Sequence, residues 1–348
     1  MLLPSGKQWI IEPAKGFDGL QLKHNIPTPN PKNTECVIKF EAVSLNYRDI
    51  AMPLGEYPSK LHECFVPCSD GAGTVVSVGP SVTKFKVGDK VTPCFLQGHD
   101  DGELTPEKRG TSLGHPRDGV LRQYALFEES GLVAVPEYLS TIEASTFPCA
   151  AATAWNALFG LEGRQLQPGQ SVLTQGTGGV SLFAIQIALA VGAMVIATTS
   201  STEKEEMLKQ LGVQHTINYR TDPNWGETAK RLSPDGLGVH HVIEVAGDSG
   251  LPQSIKAVRL EGTISVVGFL GGIGSRGVSC TEVMFSSCVI RGMHVGSRKQ
   301  LEDLFRFSEE HRLRPIVSHP TFTFDDARAA FESLKSQSTW GKIVLRLE

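Results

Sequence analysis

The run Gln175-Gly176-Thr177-Gly178-Gly179-Val180-Ser181 is where residue type and spacing point most directly to a chemistry. A strand-like segment, Ser171–Thr174, precedes it, and an apolar helix-like segment, Leu182–Val191, follows. Strand, glycine turn and helix in that order form a cradle for a dinucleotide pyrophosphate. Glycine permits the tight turn and lets the backbone approach the phosphates. The N–H groups of the helix's first turn and the positive end of its dipole then face the anion. The pattern is G-x-G-x-x-S, with Ser181 where a third glycine is expected. Gly176, Gly178, Gly179 and Val180 are the expected contacts.

The next strand-like segment, Met194–Thr198, leads into Thr199-Ser200-Ser201-Thr202-Glu203-Lys204. NAD-selecting sites place an acid about 20 residues past the glycines, where it holds the ribose hydroxyls. A carboxylate about 4 Å from a 2′-phosphate would cost roughly 4 kcal/mol per charge pair at an effective dielectric near 20. Here the strand tip carries hydroxyls and then Lys204, with Glu203 expected to start the next helix and point away. Thr199, Ser200, Ser201 and Lys204 therefore predict NADP(H).

These residues need two kinds of scaffold. From 1 to about 148 the chain reads as all-β, with short alternating segments such as Val37–Leu45 between Pro/Gly turns. From 149 to 298 strand and helix alternate: strands at Ser171–Thr174, Met194–Thr198, His215–Asn218, Val239–Val245, Thr263–Val267 and Val289–Val295, helices at Leu182–Val191, Glu203–Leu211, Trp225–Leu232 and Gln253–Val258. That alternation predicts a doubly wound parallel sheet. Residues 299–348 add two helices and a final strand, Lys342–Leu347, and return to the first domain. At 348 residues the chain exceeds one comfortable core. A net charge of −4 argues against nucleic acid or an anionic membrane as partner. Seven scattered cysteines fit reduced thiols. The opening, Met1–Lys7, has no signal-like apolar stretch, so the expected location is cytoplasmic. The longest apolar run, Leu182 to Thr198, is broken by Gly192 into a buried helix and a buried strand, so no membrane span is expected.

Asn46-Tyr47-Arg48-Asp49, Asp70-Gly71-Ala72-Gly73, Val87–Val91, Pro148–Leu158 and Gly341-Lys342-Ile343-Val344 accompany the glycine turn. With their order and spacing, the whole chain resembles the medium-chain dehydrogenase/reductase superfamily. The resemblance implies a GroES-like N-terminal barrel completed by the C-terminal tail, with a Rossmann domain inserted. It points to the zinc-independent branch of quinone oxidoreductases and fungal alcohol-dehydrogenase-like reductases. Zinc members place a cysteine where this chain has Asn46, and Gly-His-Glu where it has Cys68-Ser69-Asp70. Of the three ligand positions, only Cys149 keeps a matching residue. The four-cysteine structural lobe is replaced by the cysteine-free stretch Gln97–Gly119. No metal is therefore expected. The cluster His62-Glu63-Cys64 with Cys68 lies out of register and reads as buried thiols and a surface histidine.

The same resemblance implies further roles. Asn46 is expected at the ribose or nicotinamide and, with Tyr47, as the catalytic pair. Tyr47 is either a hydrogen-bond or proton donor to a carbonyl, or an aromatic wall. Thr153 and Lys342 are expected as cofactor contacts, and Tyr219 on the adenosine phosphate side. Val245, Gly247, Gly268 and Phe269 end strands and should flank the nicotinamide, with Gly271–Gly274 as a lip. Met52, Tyr57, Phe95, Cys149 and Phe269 are expected to line a pocket for an apolar carbonyl compound, Cys149 as a thiol wall rather than a nucleophile. The expected activity is NADPH-dependent reduction of a quinone, enone, aldehyde or ketone. An NADP-dependent alcohol dehydrogenase, zinc-free or zinc-bound, or a non-catalytic NADPH-binding protein, remains open. A homodimer through Val289–Val295 is the expected assembly.

Overall fold

The computed structural model describes residues 4–13, 15–58, 61, 63–272, 274, 277–337 and 339–347. Its strands are β1 (Gly6–Ile11), β2 (Leu20–Ile26), β3 (Glu35–Ser44), β4 (Asp70–Val78), β5 (Lys90–Pro93), β6 (Tyr124–Glu128) and β7 (Leu132–Ala134). Next come β8 (Ser171–Gln175), β9 (Met194–Thr199), β10 (His215–Asn218), β11 (Val239–Glu244), β12 (Val258–Val266) and β13 (Val289–Gly292). The last are β14 (Phe322–Thr323) and β15 (Val344–Arg346).

The chain forms two compact units, Met1–Ala152 with Gly296–Glu348, and Thr153–Val295. The first is GroES-like. Its main sheet runs β14-β15-β3-β4-β5-β7, with β6 paired to β3 and β1 with β2 forming a separate pair. β3 is the axis. It is apolar along most of its length, and Ile38, Phe40 and Val43 sink into the core with Phe331, Ile11 and Leu121. The tail strand β15 pairs antiparallel with β3, Val344 opposite Ser44 and Leu345 opposite Val43. The same register carries Lys342 up to Asn46, and Ser44 in turn faces Asp70 at the start of β4. Three adjacent strand ends thus converge.

The second unit is a parallel sheet ordered β10-β9-β8-β11-β12-β13. Every residue of β8 is buried, as a parallel strand covered on both faces requires. The order reverses direction between β8 and β11, and in such sheets ligands bind outside the carboxyl ends at that switch point. The helix Gly179–Val191 packs Leu182, Phe183, Ile185 and Ile187 inward and stops at Gly192, whose φ of 86° suits glycine. Several expected ends move, most by one to three residues, and β12 begins five residues early. The helix expected at Gln253–Val258 spans Leu251–Ala257, because β12 already begins at Val258. The last strand stops at Gly292 instead of Val295, where Val295 takes a left-handed φ of 51° and turns the chain away. Among the described residues, no helix is long and apolar enough to cross a membrane.

Candidate active site

The glycine turn is built as its sequence requires. Gly176 has φ 70°, where a side chain would strain the backbone. Gly178 needs no such freedom, since its φ is −78°. Apart from its chain neighbours, nothing among the described residues lies within 4 Å of where a Cβ at Gly178 would sit, so the missing side chain leaves open space above the N-terminus of helix Gly179–Val191. That space and the N–H groups of the first helical turn, which have no acceptor within the helix, fit a pyrophosphate. Ser181 explains the departure from a third glycine. It is buried, and its Oγ donates to Gln175 O at 2.7 Å, tying helix to strand.

At the tip of β9, Thr199 is buried, and its Oγ1 has no hydrogen-bond partner among the described residues. A buried unpaired hydroxyl costs free energy unless something bonds it. Ser200 is half-buried beside it. Ser201 caps the next helix, Thr202–Gln210, accepting from the Lys204 N–H at 3.3 Å. Lys204 is half-buried in that first turn, and Glu203 is exposed, pointing outward as expected. Tyr219, donating its N–H to Thr199 O at 3.0 Å, is 43% exposed.

One network escaped the sequence. Gln175 Nε2 donates to Glu244 Oε2 at 2.6 Å and to Ser254 Oγ at 2.9 Å, while its Oε1 accepts from the Val245 and Ala246 N–H groups. Glu244 Oε1 accepts from Ala246 and Gly247. Burial pushes the Glu244 carboxyl up, and these donors pull it back. The glycine turn and the β11 tip are thereby locked together. Gly247, with φ 76°, packs against Gly268 and Phe269, and Leu270 N donates to Val245 O at 3.0 Å. Val245, Gly247, Gly268 and Phe269 therefore form one rim. Gly271 and Gly272 continue it; Ile273 of the expected lip lies outside the described residues. Thr153 is buried in the first turn of helix Ala152–Phe159. The signal for the network was an acid, Glu244, ending a mostly buried strand.

In the first unit a polar cluster sits where β15, β3 and β4 end together. Lys342 Nζ donates to Leu45 O at 2.7 Å and to Asn46 Oδ1 at 2.6 Å, and lies 3.8 Å from Asp70 Oδ2. Asn46 Nδ2 reaches Ser69 Oγ at 3.4 Å, and Ser69 Oγ donates to Asp70 Oδ1 at 2.6 Å. Asp70 also accepts the Cys149 N–H at 3.2 Å, from a π-helical turn, Phe147–Ala151. Burial raises the Asp70 carboxyl, opposed chiefly by Lys342. Burial, then Asp70, raises the half-exposed Cys149 thiol, which keeps its proton. Asp49 caps the helix Tyr47–Ala51 by accepting the Asn46 N–H at 2.8 Å, and burial pushes its carboxyl up to about 6. Tyr47 is half-buried; burial, then Glu56, raises its phenol.

Two family models match, an alcohol dehydrogenase GroES-like domain over residues 32–137 and a zinc-binding dehydrogenase over residues 179–310. A zinc-type alcohol dehydrogenase-like protein of Schizosaccharomyces pombe is 42% identical over 97% of this chain and 98% of its own length. The chain belongs to the medium-chain dehydrogenase/reductase superfamily. Among solved members, an NAD-dependent alcohol dehydrogenase is 30% identical, covers 98% of this chain and 100% of its own, and superposes with a TM-score of 0.86. A quinone oxidoreductase from Pseudomonas syringae is 25% identical over 98% of this chain and 99% of its own, with a TM-score of 0.81.

Within the superfamily frame, several expected residues do other work. Lys342 is 4% exposed, so it presents no surface to a dinucleotide; its ammonium is spent on Leu45, Asn46 and Asp70. Met52 is fully buried in the core, packed in the same cluster as Ile50 and Phe331. Phe95 is buried under the Arg48 guanidinium, 4.9 Å from its ring centre, and Tyr57 covers the same group at 5.6 Å. Arg48 in turn donates to Leu113 O and His115 O, clamping that loop. Tyr57, half-buried, and Phe95, buried, are thus cation–π partners of a structural arginine. A cavity of about 600 Å³ does open in this unit, but Phe65, Leu113, His115, Arg117 and Arg122 line it, with none of the expected pocket residues. Of the out-of-register metal cluster, His62 lies outside the described residues, Glu63 and Cys64 are exposed, and Cys68 is buried. Among the described residues, no three His, Cys, Asp or Glu side chains converge on a point that could hold a metal ion.

Proposed function

We propose that the protein is an NADPH-dependent, zinc-independent reductase acting on a quinone, enone, aldehyde or ketone. The observation that carries this reading is an ammonium, Lys342 Nζ, in hydrogen-bond contact with Asn46, the residue that stands at a zinc-ligand position of metal-dependent relatives. A catalytic zinc needs three protein ligands plus an open position. Asn46, Ser69 and Cys149 supply one good ligand among the three positions, and a fixed cation beside them opposes a metal ion. The residues present do not fit zinc.

They do fit a dinucleotide. Gly176, Gly178, Gly179 and Val180 would hold the pyrophosphate, and Thr199, Ser200, Ser201 and Lys204 the 2′-phosphate. Thr153 and the rim of Val245, Gly247, Gly268 and Phe269 would bound the nicotinamide. The bound cofactor supplies the hydride. Without a metal, charge developing on the substrate oxygen has to be met by hydrogen-bond donors. Asn46 Nδ2 supplies one. Tyr47 supplies the other, since its raised phenol stays protonated at neutral pH and donates rather than abstracts. Cys149, with its proton retained, is a neutral neighbour of the site.

A second reading is favoured by the NAD-dependent alcohol dehydrogenase among the structural neighbours: alcohol oxidation by the same residues run in reverse. Product analysis after NADPH turnover on paired enone, quinone and aldehyde substrates separates C=C from C=O reduction. NADPH binding without oxidation across the panel would reduce the protein to a nucleotide-binding module. One tightly held zinc per chain by elemental analysis, lost together with activity, would overturn the zinc-free assignment. Seven free cysteines suit a cytoplasmic setting. We further propose a homodimer through the open edge of β13.

A further inference from the structure

We infer that Lys342 is a positioning residue that fixes the side-chain amide of Asn46 so that it offers donors, and only donors, to a substrate oxygen. This rests on the donor role proposed above for Asn46. An ammonium has three donors and no acceptor. The Asn46 atom 2.6 Å from Lys342 Nζ must therefore be the carbonyl oxygen, which settles an amide orientation that geometry alone leaves ambiguous. The other two ammonium protons go to Leu45 O at 2.7 Å and toward Asp70 Oδ2 at 3.8 Å. Lys342 is thus held from three sides and cannot swing to serve a ligand.

With Oδ1 consumed, the half-buried Asn46 presents Nδ2. That nitrogen faces Ser69 Oγ at 3.4 Å, whose own proton goes to Asp70, and also hydrogen-bonds Asp70 itself, so a substrate oxygen would share one of its two protons with these acceptors. Lysine, amide, hydroxyl and carboxylate close a ring in which each member fixes the next. The contact joins positions 296 residues apart, set by the register of β15 against β3. A flipped amide would aim a carbonyl at a developing oxyanion and repel it. Holding the amide unflipped therefore bears on the chemical step and leaves nucleotide affinity alone.

The test compares Lys342→Met, Lys342→Arg, Asn46→Ala and the Asn46→Ala/Lys342→Met double variant, reading kcat, KM and NADPH dissociation by cofactor fluorescence. Removing one oxyanion donor costs roughly 100–1000-fold in kcat. Lys342→Met should lose a substantial part of that in kcat, keep NADPH affinity within about twofold, and be partly rescued by Lys342→Arg. The double variant should be no slower than Asn46→Ala, since the lysine acts through the amide. Multiplying losses, or an NADPH affinity that falls more than tenfold with kcat unchanged, would overturn the inference, the second outcome making Lys342 a cofactor contact. If Asn46→Ala itself keeps full kcat, the donor reading of Asn46 fails. Whether Lys342 orients the amide is then still decided by the Asn46 side-chain resonances in Asn-labelled protein, which must shift in Lys342→Met. Should Lys342→Met unfold because Asp70 is left uncompensated, the Lys342→Met/Asp70→Asn variant removes both charges and the same comparisons are made in the Asp70→Asn background.

Discussion

At the scale of single residues, charge placement decides what each group does. Lys204 sits in the first turn after β9, behind Ser200 and Ser201 and with no carboxylate at the strand tip. Lys204→Ala should weaken NADPH by roughly 1–3 kcal/mol, the range for a charge-assisted hydrogen bond, and leave NADH nearly unchanged. Paired titrations check this, and equal losses for both cofactors would remove the 2′-phosphate assignment. Asp49 makes a pH prediction of definite sign. Its carboxyl is raised from 3.8 to about 6 in the folded chain, mainly by burial. The folded state therefore holds that proton more tightly than the unfolded state does. Its contribution to stability is full below pH 3.8 and is lost as pH rises through about 6. Relative to Asp49→Asn, the wild type should gain on the order of 3 kcal/mol as pH falls across that window, from a shift of about two units. Denaturant titrations of both proteins from pH 7 to 4 would show it; parallel curves would mean that Asp49 is ionised at little cost.

At the scale of elements, the glycine turn makes a cleaner test than the pocket does. Gly178 has ordinary backbone angles and empty space around its absent side chain. Gly178→Val should leave unfolding free energy within about 1 kcal/mol, yet weaken either dinucleotide tenfold or more, about 1.4 kcal/mol per decade. Thermal unfolding and cofactor fluorescence on one sample separate the two effects. A large loss of stability with binding intact would mean that the turn serves packing alone. What the sequence made legible follows from the same physics. Strand, glycine turn and helix declare themselves locally, because backbone angles and burial periodicity are local properties. Apolar residues carry no local mark of whether they face core or cavity, so Met52, expected in a pocket, is fully buried in the core, and Tyr57 and Phe95 flank the Arg48 guanidinium. The Lys342–Asn46 pair was out of reach for another reason. It exists only through strand register, which no short window of sequence specifies. Glu244 lay between these cases: an acid at the end of a buried strand is a visible anomaly, but its partners Gln175 and Ser254 come from other elements.

For the whole molecule, the parallel sheet of the described residues ends at β13, which pairs with β12 on one side and with no described strand on the other. An unpaired edge is a pairing hazard that chains cover, charge or use. Here the segment before it adds a reason to use it. The helix Cys280–Ser286 buries none of its residues, and Met284 and Phe285 are 63% and 76% exposed. Large adjacent apolar side chains left in water mark an interaction surface. Met293 and Val295, expected in the pairing strand, lie beyond its end, so the edge is the four residues Val289–Gly292. Arg291 is satisfied within the unit, donating to Asn156 O at 3.0 Å and Asn156 Oδ1 at 2.9 Å, and needs no partner across an interface. A second copy docking by two-fold symmetry would cover both edge and helix in one isologous contact. Light scattering at micromolar concentration should give a dimer mass. Met284→Lys with Phe285→Asp should give a folded monomer, because both side chains are exposed and their replacement removes no core contact. A wild-type monomer, or a dimer that survives both charges, would place the contact elsewhere or abolish it.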